Sequence, residues 1–225
     1  MRSKRYRESF KKQVQQAVPV AAGVEILKAY KPTKFDQTVE LIFWLGVDDK
    51  QADQKVRASV SLPNGIGKSK KVVAFVSENL VAQATEAGAI KAGGQSLVEE
   101  VEKTNFTDFD VAIATPDMMR FVGKLGKVLG PKGLMPSPKA GTVTTDVANT
   151  VREFTAGKAE IKNDAGGNLH TVVGKLSFDS KKLTENVEAM IAHVRRLKPQ
   201  AAKGVYIKKV TLKASMTPGV LLNVQ

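Results

Sequence analysis

Gly65-Ile66-Gly67-Lys68-Ser69 is the segment of this sequence that comes nearest to a reaction chemistry. A glycine loop that offers backbone N–H groups to phosphate, with a lysine reaching the same oxygens, is how a P-loop holds a nucleotide. The spacing argues against that use here. The motif wants a glycine where Leu62 stands, and it must leave a strand and open a helix, whereas Lys70-Lys71 leads straight into the apolar run Val72-Val73-Ala74-Phe75-Val76. A hinge is the better reading. The chain has no cysteine and only two isolated histidines, His170 and His193. Disulfides and thiolate metal sites are therefore excluded, no Ser/His/Asp or Cys/His set is legible, and no cofactor is expected.

Residues 123–141 form the least ordinary stretch, with five glycines, three prolines and four lysines and no acid. Glycines allow close backbone approach, prolines stiffen a loop, and lysines can neutralise phosphate. A structural loop packed on its own domain through Leu125, Val128, Leu129, Leu134 and Met135 fits the same residues equally well. Both readings stay open from composition alone.

Charge gives the class of partner. Thirty-five Lys+Arg against 22 Asp+Glu leave a formal +13 and a pI near 9.8, which favours a polyanion, nucleic acid ahead of an anionic membrane surface. No run reaches the 18 or so apolar residues of a membrane-spanning helix, since the stretch from Val18 to Leu27 is short and broken by Gly23 and Glu25. A soluble, cytoplasmic protein without a membrane partner is expected. The N-terminal Arg2, Lys4, Arg5, Arg7, Lys11 and Lys12, opposed only by Glu8, fit a disordered basic arm on RNA, a solvated charge run or a short organelle-targeting segment. Glu8 and the lack of a Ser-rich stretch weigh against targeting.

These residues need elements to position them. Val72 to Val76 predicts a buried strand, with Ser77 able to cap a helix carrying Leu80, Val81 and Ala84 on one face and Gly88 offering its stop. Asp110-Val111-Ala112-Ile113-Ala114 predicts a second strand, with Thr115 as N-cap and Pro116 at the first helical position. The flanks differ. Thr38 to Leu45 alternates, with Val39, Leu41, Phe43 and Leu45 on the core face and Thr38, Glu40, Ile42 and Trp44 on the other. A helix begins at Asp179 or Ser180, keeps Leu183, Val187, Met190, Ile191 and Val194 in phase, and stops at Pro199, after which Val205 to Leu212 predicts a strand.

Breaker clusters at residues 62–67 and 155–157 divide the chain. The fold class is α/β in two domains. Residues 1–66 with 157–225 make an α+β sandwich domain built from both chain ends, and residues 67–156 make an inserted α/β domain with a small parallel sheet. Residues 67–156 hold 11 Lys+Arg and 10 Asp+Glu, net +1, leaving 24 and 12 of the chain's charges, net +12, to the flanks. The polyanion surface belongs to the flanking domain.

Residues 123–141 also closely resemble the loop of the bacterial large-subunit ribosomal protein family conventionally numbered one, the proteins of the mobile stalk beside the tRNA exit site. Lys34-Phe35-Asp36-Gln37-Thr38-Val39-Glu40, Val60-Ser61-Leu62-Pro63-Asn64-Gly65, residues 110–116 and residues 163–175 resemble further family segments in the same order. The resemblance extends from about residue 4 to residue 218. It implies a terminus-built domain that binds ribosomal RNA and an inserted Rossmann-like domain.

Carried over position by position, the resemblance nominates Lys34, Phe35, Thr38 and Glu40 on one strand face and its loop, then Lys162, Asn163, His170, Gly174 and Lys175, then the turn Ser215-Met216-Thr217-Pro218 as RNA contacts. The residue types suit this. Lysines meet phosphate, Phe35 offers a ring to sugar or base, and Glu40 could accept from a 2′-hydroxyl or a base amino group. Thr217 departs from the family, which usually has glycine there, and a β-branched residue is costly at positive φ. The implied partners are large-subunit rRNA, deacylated tRNA at the exit site, the protein's own messenger RNA and other components of the large subunit, with the chain a monomer within the cytoplasmic ribosome. A nucleotide-dependent enzyme using the α/β domain and a nonspecific nucleic-acid coat are the competing readings.

Overall fold

The computed structural model of the chain describes residues 3–104 and 106–224. Two compact units emerge, Met1–Gly67 with Ala159–Gln225, and Lys68–Lys158.

The first unit is built on a four-stranded antiparallel sheet. Its strands are β1 (Thr38–Leu45), β7 (Asn168–Lys175), β8 (Ile207–Ala214) and β9 (Val220–Leu222), in the order β7-β1-β8-β9. The alternation of β1 is realised, with Val39, Leu41, Phe43 and Leu45 all inside and Trp44 outside. Helices α2 (Val20–Lys28) and α8 (Ser180–Arg196) cover the inner face, and Leu183, Val187, Met190 and Val194 are fully buried among the strand residues. Asp179 caps α8 through its carboxylate, which accepts from the Ser180 N–H at 2.8 Å. The final long strand begins at Ile207, two residues later than its apolar run implies, and continues to Ala214 because its ladder with β1 persists to the Val39 rung. A two-stranded antiparallel sheet of β2 (Arg57–Val60) and β6 (Ala159–Lys162) completes this unit.

The basic N-terminus is not a disordered arm. Residues Lys4–Lys11 form helix α1, with the Ser3 hydroxyl accepting from the Tyr6 N–H at 3.3 Å and the Tyr6 and Phe10 rings stacked at 6.2 Å. Arg5 donates to the carbonyls of Lys31 (3.2 Å) and Met216 (2.8 Å), and Glu8 pairs with Lys31 at 3.0 Å. The anchors are remote in sequence, so a local reading sees only the charge. Arg2 lies outside the described residues.

The second unit has a parallel sheet of β3 (Val72–Phe75), β4 (Lys91–Gly93) and β5 (Val111–Ala114), in the order β4-β3-β5. All four residues of β3 are fully buried, because helices lie on both faces, as a parallel sheet requires. Helix α4 (Gln95–Thr104) packs with Val73 and Phe75, while α3 (Glu78–Glu86) and α7 (Val147–Thr155) pack with Val72, Ala74 and Ile113. Ser77 stands at the start of α3, but its side chain makes no capping bond. The helix after β5 does not open at Pro116. Residues 115–118 close a turn first, with the Met118 N–H donating to the Thr115 carbonyl at 3.0 Å, and α5 (Met119–Val122) follows.

Residues 123–141 fold onto their own unit. A 3₁₀ turn, the short helix α6 (Gly126–Leu129) and a second 3₁₀ turn bury Leu125 and Leu129 and leave Lys124, Lys127, Lys132 and Lys139 exposed. Gly65 and Gly67 adopt positive φ (62° and 71°) in an extended connection that enters β3 directly, which is not the strand-to-helix turn of a phosphate loop. A Cβ on Gly67 would lie 2.8 Å from the Phe178 ring and 2.9 Å from the Lys175 side chain, so close packing requires glycine there.

Candidate nucleic-acid interface

The register of β1 with its two neighbours gathers candidates from all three sequence strips at one end of the sheet. Thr38 faces Lys175 across β7, and the Lys175 ammonium donates to the Thr38 hydroxyl at 2.9 Å. On the other side, the Thr38 carbonyl accepts from the Ser215 N–H at 3.1 Å and from the Ser215 hydroxyl at 3.3 Å. Lys34 and Phe35 stand on the loop that leads into this corner. Phe35 is 53% exposed and Met216 52%, large apolar surfaces that the unit leaves to solvent.

Gln37 organises the corner and was not found by sequence reading. Its side chain is fully buried, its Oε1 accepts from the Met216 N–H at 2.8 Å, and its carbonyl accepts from the Leu176 N–H at 2.8 Å. One residue thus joins the strand entry to the two other strips. A signal existed: Gln37 has the parity of Val39 and Leu41, so it is a polar residue on the core face of an alternating strand. Asp36 adds a second tie, its carboxylate accepting from the Ser177 N–H (3.1 Å) and hydroxyl (2.8 Å).

Gly174 sets the register. Val39 pairs with Gly174 but Glu40 pairs with Val172, so Val173 is the extra residue of a β-bulge. Gly174 has φ of 153°, and a Cβ there would meet Leu183 and Phe178 at 3.1 Å. This glycine shapes the backbone that presents Lys175 to Thr38. Glu40 sits between Val172 and Lys213, so a cation occupies the neighbouring strand position beside the one acid on this face of β1. His170 is exposed one outward-facing rung further, opposite Ile42.

Other nominated side chains are placed elsewhere. Lys162 and Asn163 lie toward the Asn168 end of β7, roughly 20 Å from the Lys175 end at the rise of an extended strand. Lys162 is exposed, but Asn163 is buried: its Oδ1 accepts from the Val56 N–H at 2.8 Å and its Nδ2 donates to Asp49 Oδ1 and the Asp164 carbonyl, each at 3.0 Å. Asn163 is a strut. Thr217 is only 1% exposed, with its hydroxyl accepting from the Ala214 N–H at 3.0 Å and donating to the Ala214 carbonyl at 3.3 Å. It closes the turn from inside, so the side chain that replaces the family's usual glycine does not project toward a ligand, and Pro218 beside it is buried too.

Electrostatics support the loop geometry. Backbone N–H donation from Asn168, its side-chain amide and the Gly166 N–H hold the Asp164 carboxyl below its ordinary range, keeping the turn between β6 and β7 charged and fixed. Among the described residues, no group of three or more His, Cys, Asp or Glu could hold a metal ion, and no helix is long and apolar enough to cross a membrane.

A family described as the ribosomal protein L1p/L10e family matches residues 27–218. The chain is 50% identical to the large ribosomal subunit protein uL1 of Kosmotoga olearia over 226 residues, covering 100% of this chain and 97% of that one. It is likewise 50% identical to the proteins of the same name from Protochlamydia amoebophila, over 99% of this chain and 94% of that one, and Solibacter usitatus, over 96% and 89%. With the matched region covering the β1 corner, the β7 strip and the turn after β8 together, the chain belongs to the ribosomal protein L1p/L10e family.

Proposed function

We propose that this chain is a structural constituent of the large ribosomal subunit that binds large-subunit rRNA through the first unit, at the corner formed by Lys34, Phe35, Thr38, Lys175, Ser215 and Met216. As a member of a ribosomal-protein family it is not an enzyme, and it works in the cytoplasmic ribosome. The observation that carries the site is the convergence of three sequence-distant strips on Thr38 and Gln37, with Phe35 and Met216 exposed. Lysines meet phosphates, the apolar pair meets sugar or base, and Glu40 with the Thr38 hydroxyl can address 2′-hydroxyls, which distinguishes RNA from DNA.

From the family resemblance we further infer that the bound chain forms the mobile exit-site stalk, contacts deacylated tRNA and assists its release, and represses translation of its own messenger RNA through a mimic of the ribosomal site. Release is mechanical on this reading and needs surfaces and hinges, with no acid, base or nucleophile. The Lys124, Lys127, Lys132 and Lys139 ammoniums, exposed on a loop whose apolar residues are packed inward, are the surface of the second unit best suited to tRNA phosphate.

Filter binding to the stalk segment of large-subunit rRNA, against a scrambled RNA of the same length, tests the central part. Expected is strong preference for the native segment. If about five phosphates are neutralised, log K falls with a slope of roughly −3.5 to −4.5 against log salt. Equal affinity for the scrambled RNA removes the specific reading and leaves nonspecific coating.

A further inference from the structure

At the other end of the same sheet, about 20 Å from Thr38 at the rise of a strand, the outer surface carries Trp44, the only tryptophan of the chain and 48% exposed. Beside it the register of β1 and β8 slips: Trp44 pairs with Lys209 and Leu45 with Ile207, so Lys208 is the extra residue of a bulge and both lysines are exposed. The Lys208 ammonium lies 4.9 Å from the centre of the Trp44 ring. A groove of about 770 Å³ runs from Trp44 across β8 and β9, and Arg195 and Lys198, at the end of α8, line it with the two lysines. Among the described residues no acid lines the groove, and Val205, 70% exposed, forms part of its wall.

We propose that this groove is a second RNA-binding platform, distinct from the Lys34–Met216 corner, in which an unpaired base stacks on Trp44 while Lys208, Lys209, Arg195 and Lys198 neutralise the flanking phosphates. The proposal rests on the reading of the chain as an RNA-binding protein and adds a contact to it. An exposed indole offers a flat apolar face to any base, and four cations without an acid fit a polyanion whose bases are apolar, a combination that aromatic-plus-basic single-strand grooves share. The Lys208 ammonium leaves the indole readily, because a cation–π contact at an exposed site is weak, and its new partner is the phosphate of the stacked nucleotide. The bulge serves this arrangement by turning two consecutive lysines to one side, which regular pleating forbids.

Trp44 reports on its own site, since no other tryptophan contributes to emission. The full chain is titrated with a ten-nucleotide single-stranded adenine-rich RNA while tryptophan fluorescence is followed, and binding to the rRNA stalk segment is measured in parallel by filter retention. Saturable quenching is expected, unchanged in Phe35→Ala and weakened about tenfold in Lys208→Ala/Lys209→Ala; filter-measured affinity for the oligonucleotide should survive Trp44→Phe and fall about tenfold in Trp44→Ala. Absence of quenching while the rRNA segment still binds overturns the platform and spares the corner. Quenching together with loss of rRNA-segment binding leaves the platform standing and removes the corner. Equal quenching by polyglutamate shows a site for acidic protein segments and overturns base stacking, as does quenching that persists unchanged in the double lysine variant.

Discussion

The Lys175 ammonium donates to the Thr38 hydroxyl at 2.9 Å across the β1–β7 pair, so two candidate RNA-contacting groups are already oriented by each other. That bond fixes a long, rotamer-rich lysine before RNA arrives and lowers the entropy lost on binding. Lys175→Ala is expected to weaken rRNA binding across sequences and to flatten the salt slope by about 1, the mark of a lost phosphate contact. Salt-dependent filter binding of the variant and the native chain measures both quantities.

Phe35 and Met216 are both exposed, and the buried Gln37 side chain accepts from the Met216 N–H. Neither supports the core, so Phe35→Ala and Met216→Ala should each reduce rRNA affinity by about 1 to 3 kcal/mol while circular dichroism stays native. Unchanged affinity in both variants would take the corner out of the interface.

Thr217 gives the opposite pattern. Thr217→Gly restores the residue usual in the family, yet it removes the hydroxyl that serves both the N–H and the carbonyl of buried Ala214. Loss of a partner for a buried backbone group costs about 1 to 3 kcal/mol. Urea denaturation should therefore show lower stability, with rRNA affinity of the folded variant preserved. A variant as stable as the native chain would mean that water replaces the hydroxyl without penalty.

His193 introduces a pH dependence into the first unit. Burial, and then the nearby Arg196 charge, lower its pKa, and its Nε2 is buried with no hydrogen-bond partner among the described residues. The unfolded chain therefore binds this proton at a higher pH than the folded one. Stability is unaffected well above the ordinary histidine pKa of about 6.5 and falls as pH drops below it, until the folded-state pKa is passed. His193→Gln should remove this component, so urea midpoints compared at about pH 7.5 and pH 5.5 should diverge less in the variant.

Much of this architecture was legible because period and burial coincide. β1 and α8 followed their alternation and 3.6-residue phase, and β3 showed itself by a continuous apolar run. What was missed depends on partners remote in sequence. Helix α1 is held by Lys31 and Met216, and the pairing of β4 with β3 adds a strand too short and too weakly apolar to stand out. At the candidate interface, the family resemblance nominated Asn163 and Thr217, but nothing in the sequence shows that their side chains turn inward. Gln37 was passed over because a lone glutamine before a strand looks like a loop residue until its parity is counted.

The most direct measurement is the rRNA affinity of a protein in which a short Gly/Ser linker replaces residues 68–158, set beside that of the isolated segment 68–158. The deletion removes 12 Lys+Arg and 10 Asp+Glu, so little net charge goes with it, and every residue of the Thr38 corner remains. The cores of the two units are separate apolar clusters, which allows each to fold alone. The deletion protein is expected to bind the native rRNA segment with close to full affinity and to prefer it over scrambled RNA, with the isolated segment binding neither. A folded deletion protein that no longer binds, alongside a segment 68–158 that does, would contradict the assignment of rRNA recognition to the first unit.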